Sequence, residues 1–533
     1  MKRMSEPGNQ PMPLPLRAAV EAQKLGRSVE AKTLAGEWLK RNPDDALALT
    51  ILASTAIDLR RPIEAEHLLR RALDLAPGLL QARIHLARSL EDQSRLSEAI
   101  AILKEVTRND ERSLPALTFL AHLQRELGKF GESAETFEGL LKWRPDDPNL
   151  CVGYAETLRF IGRKADSEHA FRHALSRDPA SGMAWWGLSM LDGKLVSDAD
   201  LQVIGKALEQ SSDRSNEALL HFAVAQVLDR RARYAEAFMH FQSANRIRRK
   251  LFAYDSHEIC REVDSSIALL TADFLQGRGG FGTPDGRPIF IVGMPRSGST
   301  LLERMLGRHS QVEATGELPI IPHMVDMLSA HHPCPYPGLL AGLSGDHIRD
   351  LGANYLARAH EFRKTTKPLF TDKLHMNWRH LGLIRLSLPG AKIIDVRRSA
   401  VDCCWSNYKL HFTRGHLASN DLADLGRFYR DYVRLMDRLT DVAPDAVLRV
   451  EFEDVVGDPQ QQLRRVLGFL GLQFEGQCLD FHLVADPVGT ASSEQVRRPI
   501  NRDGIGAWKP YEPWLRPLIE ALGALADPEL TPR

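Results

Sequence analysis

The sequence predicts two architectures in tandem, an all-helical solenoid over its first half and an α/β domain with a central parallel sheet over its second. Three observations carry this. Prolines at 43, 77, 145 and 179 lie on one 34-residue lattice, and alanines at 19, 53, 87, 121 and 155 share a phase of the same period. From about residue 284, short β-branched runs alternate with helical periods, the pattern of a parallel sheet flanked by helices. One such run, Ile289 to Val292, enters a Gly/Pro turn followed by the apolar-periodic Leu301, Leu302, Met305 and Leu306, which reads as strand, tight loop and helix N-terminus.

Composition sets the outer limits. With 533 residues the chain has room for two to four domains, each with its own core. It is 43% hydrophobic and 26% charged with formal net charge zero, which gives no support to a general nucleic-acid or membrane-surface role. Any anion site must then be a local cluster. Six scattered cysteines without a C-x-x-C pair favour reduced thiols over a disulfide framework. The first ten residues are polar, no apolar h-region follows, and no stretch approaches 18 uninterrupted apolar residues. The expectation is a soluble, non-exported, cytoplasmic protein.

Within the first half, Glu111 fills the missing proline slot, and a second small-residue phase runs Ala31, Ala65, Ala99, Ser133, Ser167. Large apolar residues recur at Leu69, Leu103, Phe137 and Phe171. Helices that cross closely need small side chains at the crossing, which gives the alanine phases a physical cause. The pattern resembles the tetratricopeptide repeat. Five repeats cover about residues 12 to 181, and a sixth, out of register, falls at 218 to 251 with Ala225, Ala237, Phe241 and Ala244 keeping the internal spacing. The expected array spans 12–255, about six helix pairs. A concave groove for a protein or peptide is the expected use of such an array, with a rigid spacer or oligomerisation surface as the plainer alternative. Neither the ligand nor the oligomeric state is legible here.

A connecting helix and the glycine-rich linker Gly277–Gly286 occupy 256–286, and the α/β domain is placed at 287–525. Expected strands are 289–293, 369–371, 392–396 and 447–451. Expected helices are 299–308, 346–364, 376–388, 400–411, 421–440 and 459–470.

The chemistry concentrates in Pro288-Ile-Phe-Ile-Val-Gly-Met-Pro-Arg-Ser-Gly-Ser-Thr300. A loop between strand and helix points backbone N–H groups and the positive helix end at an anion. The spacing of Gly293, Gly298 and Ser299-Thr300 is that of a P-loop, yet Ser299 occupies the P-loop lysine position and the nearest cation is Arg296. Such a cradle suits a phosphate-like group other than the γ-phosphate of a nucleoside triphosphate. The strand at 392–396 runs into Arg397-Arg398, and Ser406 follows eight residues after Arg398 on the next helix, so both can reach a second phosphate. Two anion sites thus stand at the ends of parallel strands, where open α/β sheets bind ligands.

Together with Asp372-Lys373 and Ser492-Ser-Glu-Gln-Val-Arg-Arg-Pro499, these motifs resemble the sulfotransferase superfamily over about residues 288 to 520. The architecture is similar to bacterial sulfotransferases with tetratricopeptide repeats, and the catalytic half to the tyrosylprotein sulfotransferases. The resemblance implies sulfuryl transfer from 3′-phosphoadenosine-5′-phosphosulfate to an acceptor hydroxyl, without a metal. It implies that Arg296 with Ser297, Gly298, Ser299 and Thr300 holds the 5′-phosphosulfate, and that Arg398 and Ser406 hold the 3′-phosphate. Ser492 matches a cofactor-site serine, and Lys373 the lysine beside the bridging oxygen. The general base is Glu317, in Thr315-Gly-Glu-Leu-Pro319, or His375, two residues after the lysine; the fuller match favours Glu317. The chain departs from the tyrosylprotein branch at Ala507, where a lysine precedes the tryptophan (here Trp508), with Lys509 or Arg498 as substitutes. It departs again at Ile320 and His323, where that branch has arginines suited to acidic peptides; phenols, sugars and lipid headgroups therefore stay open as acceptors. The stretch His331-His332-Pro-Cys334 reads as a loop, not a metal site, and Cys403-Cys404 as core thiols. The competing classes are a P-loop kinase or NTPase and a non-catalytic repeat scaffold.

Overall fold

The structure, a computed structural model, describes residues 12–412, 415–484, 487–490 and 493–527. The chain divides into two compact units after Leu140.

The first unit is built from helical hairpins, beginning with Leu14–Lys24 and Ser28–Arg41, then Ala46–Asp58 and Pro62–Leu75, then Leu80–Asp92 and Leu96–Asn109. Each lattice proline follows its second helix by two residues: Pro43 after Arg41 and Pro77 after Leu75. Ala19, Ala53, Ala87 and Ala121 are wholly buried, as are Ala31, Ala65 and Ala99 of the second phase. Where serine replaces alanine in that phase, the extra hydroxyl is satisfied: Ser133 Oγ donates to the Ala121 carbonyl at 2.8 Å. A third lattice emerges in the turns, where Gly26, Arg60, Ser94 and Gly128 all have left-handed backbone. Each turn is closed by the bond typical of a helix C-terminus, such as Arg61 N–H to Ala56 O at 2.9 Å and Arg95 N–H to Leu90 O at 2.8 Å.

The second unit opens with the hairpin Pro148–Ile161 and Lys164–Arg177, which keeps the period: Gly162 is left-handed and Ser167 Oγ donates to Ala155 O at 2.7 Å. The helix Asp198–Gln210 follows, capped reciprocally by Ser197 and Asp200. The pair Arg214–Arg230 and Tyr234–Leu251 buries Ala225, Ala237, Phe241 and Ala244 completely.

Beyond Ser256–Leu269 the chain forms one five-stranded parallel sheet: β1 Pro288–Gly293, β2 Val312–Glu313, β3 Leu369–Asp372, β4 Lys392–Arg397 and β5 Val447–Glu451. Their order is β2-β3-β1-β4-β5. Ile291 lies beside Ile394 on β4, and Ile289 beside Thr371 on β3. All six residues of β1 are buried, as a central strand covered on both faces requires. One face packs Ile289, Ile291, Met305, Val396 and Val450 into a single apolar cluster. The chain leaves β1 toward β3 on one side and later returns to β4 on the other, so the crevice above the C-terminal strand ends lies at a topological switch point.

Four expected strands are present and β2 is an addition; two residues are too few to leave a periodic signal. The expected helix 376–388 is a 3₁₀ turn, His375–His380, continued by a short α-helix, Leu381–Ser387. The helix Ile320–His331 was not foreseen, since Pro322 in its first turn breaks the apolar run that would mark it. Among the described residues no helix is long and apolar enough to cross a membrane.

Candidate functional site

The anion loop Met294–Gly298 leaves β1 and enters the helix Ser299–Gly307. Its tightness has identifiable causes. A Cβ on Gly293 would lie 2.5 Å from the Val396 carbonyl, and one on Gly298 2.5 Å from the Phe452 ring, while both residues have positive φ. Arg296 also has left-handed backbone, φ 68°. It is held there from outside, because Asn407 Nδ2 donates to Pro295 O at 2.7 Å and Arg398 Nη1 to Arg296 O at 3.1 Å. Ser297 is buried, and its hydroxyl has no hydrogen-bond partner among the described residues. Ser299 and Thr300 are buried in the first helical turn.

The two predicted anion motifs meet directly. Arg296 Nε donates to Ser406 Oγ at 3.2 Å, and Nη2 to Gln495 Oε1 at 2.7 Å. Burial and the neighbouring Arg398 guanidinium push Arg296 down to about 10. Arg398, 8% exposed, lies with its guanidinium carbon 5.3 Å from the Phe452 ring centre, and its Nε is buried without a hydrogen-bond partner among the described residues. Its neighbour Arg397 faces the other way, paired with Asp395 and Asp437 at 2.7 Å each. Alternation along β4 thus assigns one arginine to the site and one to structure. Asp402 is 3.8 Å from Arg398 and accepts from the Gly506 and Trp508 N–H groups at 2.7 and 3.3 Å.

A second cluster forms above β2 and β3. Lys373 Nζ, 1% exposed, donates to Glu317 Oε1 at 2.6 Å. Burial works against the Lys373 charge, but Glu317 and Glu303 outweigh it and hold the ammonium above its ordinary value. Burial likewise opposes ionisation of Glu317, yet Lys373 and His375 together keep it below the usual carboxylate range. Burial pushes His375 down, against the pull of Glu317. Glu317, Lys373 and His375 therefore share one electrostatic neighbourhood.

Two further residues of the site, Glu303 and Asn407, carried no sequence signal. Glu303 sits buried on the helix after the anion loop, where Oε1 accepts from Gly316 N–H at 3.0 Å and Thr371 Oγ1 at 2.7 Å. It thereby ties the strand carrying Lys373 to the loop carrying Glu317. Asn407 fixes the anion loop, and its only mark in the sequence is adjacency to Ser406. Asp372 is fully buried and accepts from Tyr355 OH at 3.0 Å and Leu374 N–H at 3.1 Å; burial raises it to about 7. It supports the strand end from beneath.

The remaining predicted positions fall as follows. Ser492 lies outside the described residues. Ala507 sits between the two N–H groups bound to Asp402, while Arg498 and Lys509 are exposed. Ile320 and His323 are buried and present no exposed face to a peptide. In the His331–Cys334 stretch, Cys334 N–H donates to His332 Nδ1 at 3.1 Å. Among the described residues no three His, Cys, Asp or Glu side chains gather as a metal would require. All six cysteines are unbridged, and Cys403 and Cys404 are buried.

A parallel sheet with a glycine-lined anion loop after its first strand, and arginines and a lysine at neighbouring strand ends, defines an anion-handling α/β domain. Comparison with known proteins gives that domain its family: residues 288–476 match the sulfotransferase family. Three tetratricopeptide-repeat matches cover residues 16–79, 56–123 and 114–147. The chain carries a sulfotransferase-family domain behind tetratricopeptide repeats. An uncharacterized protein of Aquifex aeolicus is 26% identical over 92% of this chain and 72% of its own length. Protein-tyrosine sulfotransferase A of Caenorhabditis elegans is 24% identical over 41% of this chain, which spans 60% of that protein. Among solved structures, a thermophilic tetratricopeptide-repeat protein of Thermus thermophilus aligns at 25% identity over 37% of this chain and 97% of that one, with a TM-score of 0.28.

Proposed function

We propose that this protein transfers a sulfuryl group from 3′-phosphoadenosine-5′-phosphosulfate to an acceptor hydroxyl, with a protein tyrosine as the first acceptor to test. The observation that carries the reading is the convergence of Arg296, Arg398 and Lys373 at adjacent strand ends, with Glu317 bound to Lys373 at 2.6 Å. The donor set fits such a nucleotide: two guanidiniums for oxyanions, a helix N-terminus, and two buried polar atoms, Ser297 Oγ and Arg398 Nε, without hydrogen-bond partners among the described residues. The donor supplies an activated sulfuryl group on a phosphate leaving group; the chain's work is to place and polarise it.

In this reading Arg296 and the Ser297–Thr300 backbone cradle the 5′ end, and Arg398 with Ser406 takes the 3′-phosphate. Lys373 is the buried cation that stabilises charge developing on the departing phosphate. Glu317, held ionised, accepts the acceptor's proton within hydrogen-bond reach. His375 stands beside it as the alternative base. The repeat array presents protein acceptors in its groove. The experiment is incubation of the full chain with ³⁵S-labelled donor and a lysate. Labelled protein that disappears in Lys373→Ala is the expected result. Magnesium-dependent ATP consumption with no label would point instead to a kinase or NTPase.

A further inference from the structure

The sulfotransferase-family match ends at residue 476, but the donor-site arginines draw partners from well beyond it. The described segments 487–490 and 493–508 run from a repeat hairpin to both anion motifs. At one edge, Val488 N–H and Arg497 Nη2 both donate to the Phe160 carbonyl, at 3.0 and 2.8 Å. Arg159 Nη1 donates to Ser493 Oγ at 3.2 Å. The carbonyl they share closes the helix Pro148–Ile161, and the adjoining turn glycine is fitted to the contact: a Cβ on Gly162 would lie 2.8 Å from the Arg497 guanidinium. At the other edge, Gln495 accepts from Arg296, Gly504 O accepts from Arg398, and Gly506 and Trp508 bind Asp402.

A second brace reaches the same site from the last helical pair. Asn245, 1% exposed, donates from Nδ2 to the Tyr408 carbonyl at 2.9 Å, and Gln226 Nε2 to the Lys409 carbonyl at 2.9 Å. Lys409 is also paired with Asp229 at 3.0 Å. These contacts grip the C-terminal end of the helix Ala400–Tyr408, which carries Ser406 and Asn407.

We infer that the helical hairpins of the second unit are structural walls of the nucleotide site, acting through this strap and this helix end. The inference rests on the proposed donor assignment. Arg497, two residues from Gln495 and seven from Gly504, is a positioning residue for the Arg296 half of the site, and Asn245 a positioning residue for the Ser406 half. These hairpins are then needed to bind the donor, whatever they do for the acceptor.

The two braces make separable predictions, tested by calorimetry on the full chain with adenosine 3′,5′-bisphosphate and with AMP. Arg497→Ala weakens both nucleotides by about fivefold and leaves their affinity ratio unchanged. Asn245→Ala weakens the bisphosphate more than AMP, so the advantage conferred by the 3′-phosphate shrinks. A general loss of structure moves both nucleotides equally in both variants and lowers the melting temperature, an outcome that overturns the inference. Arg497→Lys, which keeps a donor to the Phe160 carbonyl, recovers binding. Unchanged affinities within about twofold in both alanine variants also overturn it. A wild-type chain that binds neither nucleotide refutes the donor assignment itself, a separate result.

Discussion

Left-handed backbone on residues other than glycine occurs both in the repeat turns, at Arg60 and Ser94, and in the anion loop, at Arg296, and the two regions sustain it differently. In the turns local bonds suffice, such as Ser94 N–H to Glu91 O and Arg95 N–H to Leu90 O, none spanning more than five residues. In the anion loop the carbonyls of Pro295 and Arg296 are held by Asn407 and Arg398, 112 and 102 residues away. A repeat turn is therefore specified by its own neighbourhood, and one error there stays local. The anion loop exists only when distant strands have assembled, so its chemistry depends on the whole sheet.

That contrast orders the expected effects of mutation. Lys373→Ala should be the most damaging: it removes a buried cation and leaves the Glu317 carboxylate without its partner, lowering kcat by about 10²–10³-fold in a labelled-donor assay. Glu317→Gln should lower kcat by about 10²-fold or more with nucleotide affinity retained. Because Lys373 and His375 depress Glu317, the acid limb of wild-type kcat/KM should lie below the ordinary glutamate range. Should His375→Ala alone abolish turnover, the base is the imidazole.

Asp372 tests the support beneath the site. Its folded value of about 7 lies above the unfolded carboxylate value, so the unfolded chain releases this proton first. Wild-type stability from this group is present at low pH and is lost as pH rises through that window. Asp372→Asn, which has no proton to lose, should gain on wild type by about 1.4 kcal/mol per pH unit between roughly pH 4 and 7, then hold level. A difference that does not change with pH in denaturant titrations refutes the buried-acid reading.

The repeat region should respond more modestly. Ala121→Leu overpacks a wholly buried crossing and should cost about 1–3 kcal/mol in urea unfolding. Smallest is Ser94→Gly, which relieves a left-handed residue whose turn bond is already made; a gain of up to about 1 kcal/mol is expected. A larger response at Ser94 than at Ala121 would mean that the turns, and not the helix crossings, set the repeat's stability.

Legibility in the sequence follows the same division. Alanine phases, lattice prolines and the β1 run were readable because helix crossings and a central strand impose their demands on nearby residues at a fixed period. The turn lattice is not legible because only three of its five in-phase members are glycine: Gly26, Gly128 and Gly162, against Arg60 and Ser94. The site was half readable. Arg296, Lys373, Arg398 and Ser406 sit in motifs, while Glu303 and Asn407 act through contacts that no spacing announces. Of the two adjacent arginines, the spacing to Ser406 singled out Arg398, and the structure shows why Arg397 is the structural one: it is paired with Asp395 and Asp437.

The sequence by itself determined the order of architectures, the period of the solenoid and the chemical character of the strand ends, since each depends on residue type and local spacing. Tertiary structure alone decided that Glu317 meets Lys373, that Arg296 lies against Ser406, and that residues 493–508 join the helical hairpins of the second unit to both arginines. Such contacts come from the packing of segments up to 337 residues apart, where one hydrogen bond between guanidinium and carbonyl leaves no trace in either local pattern.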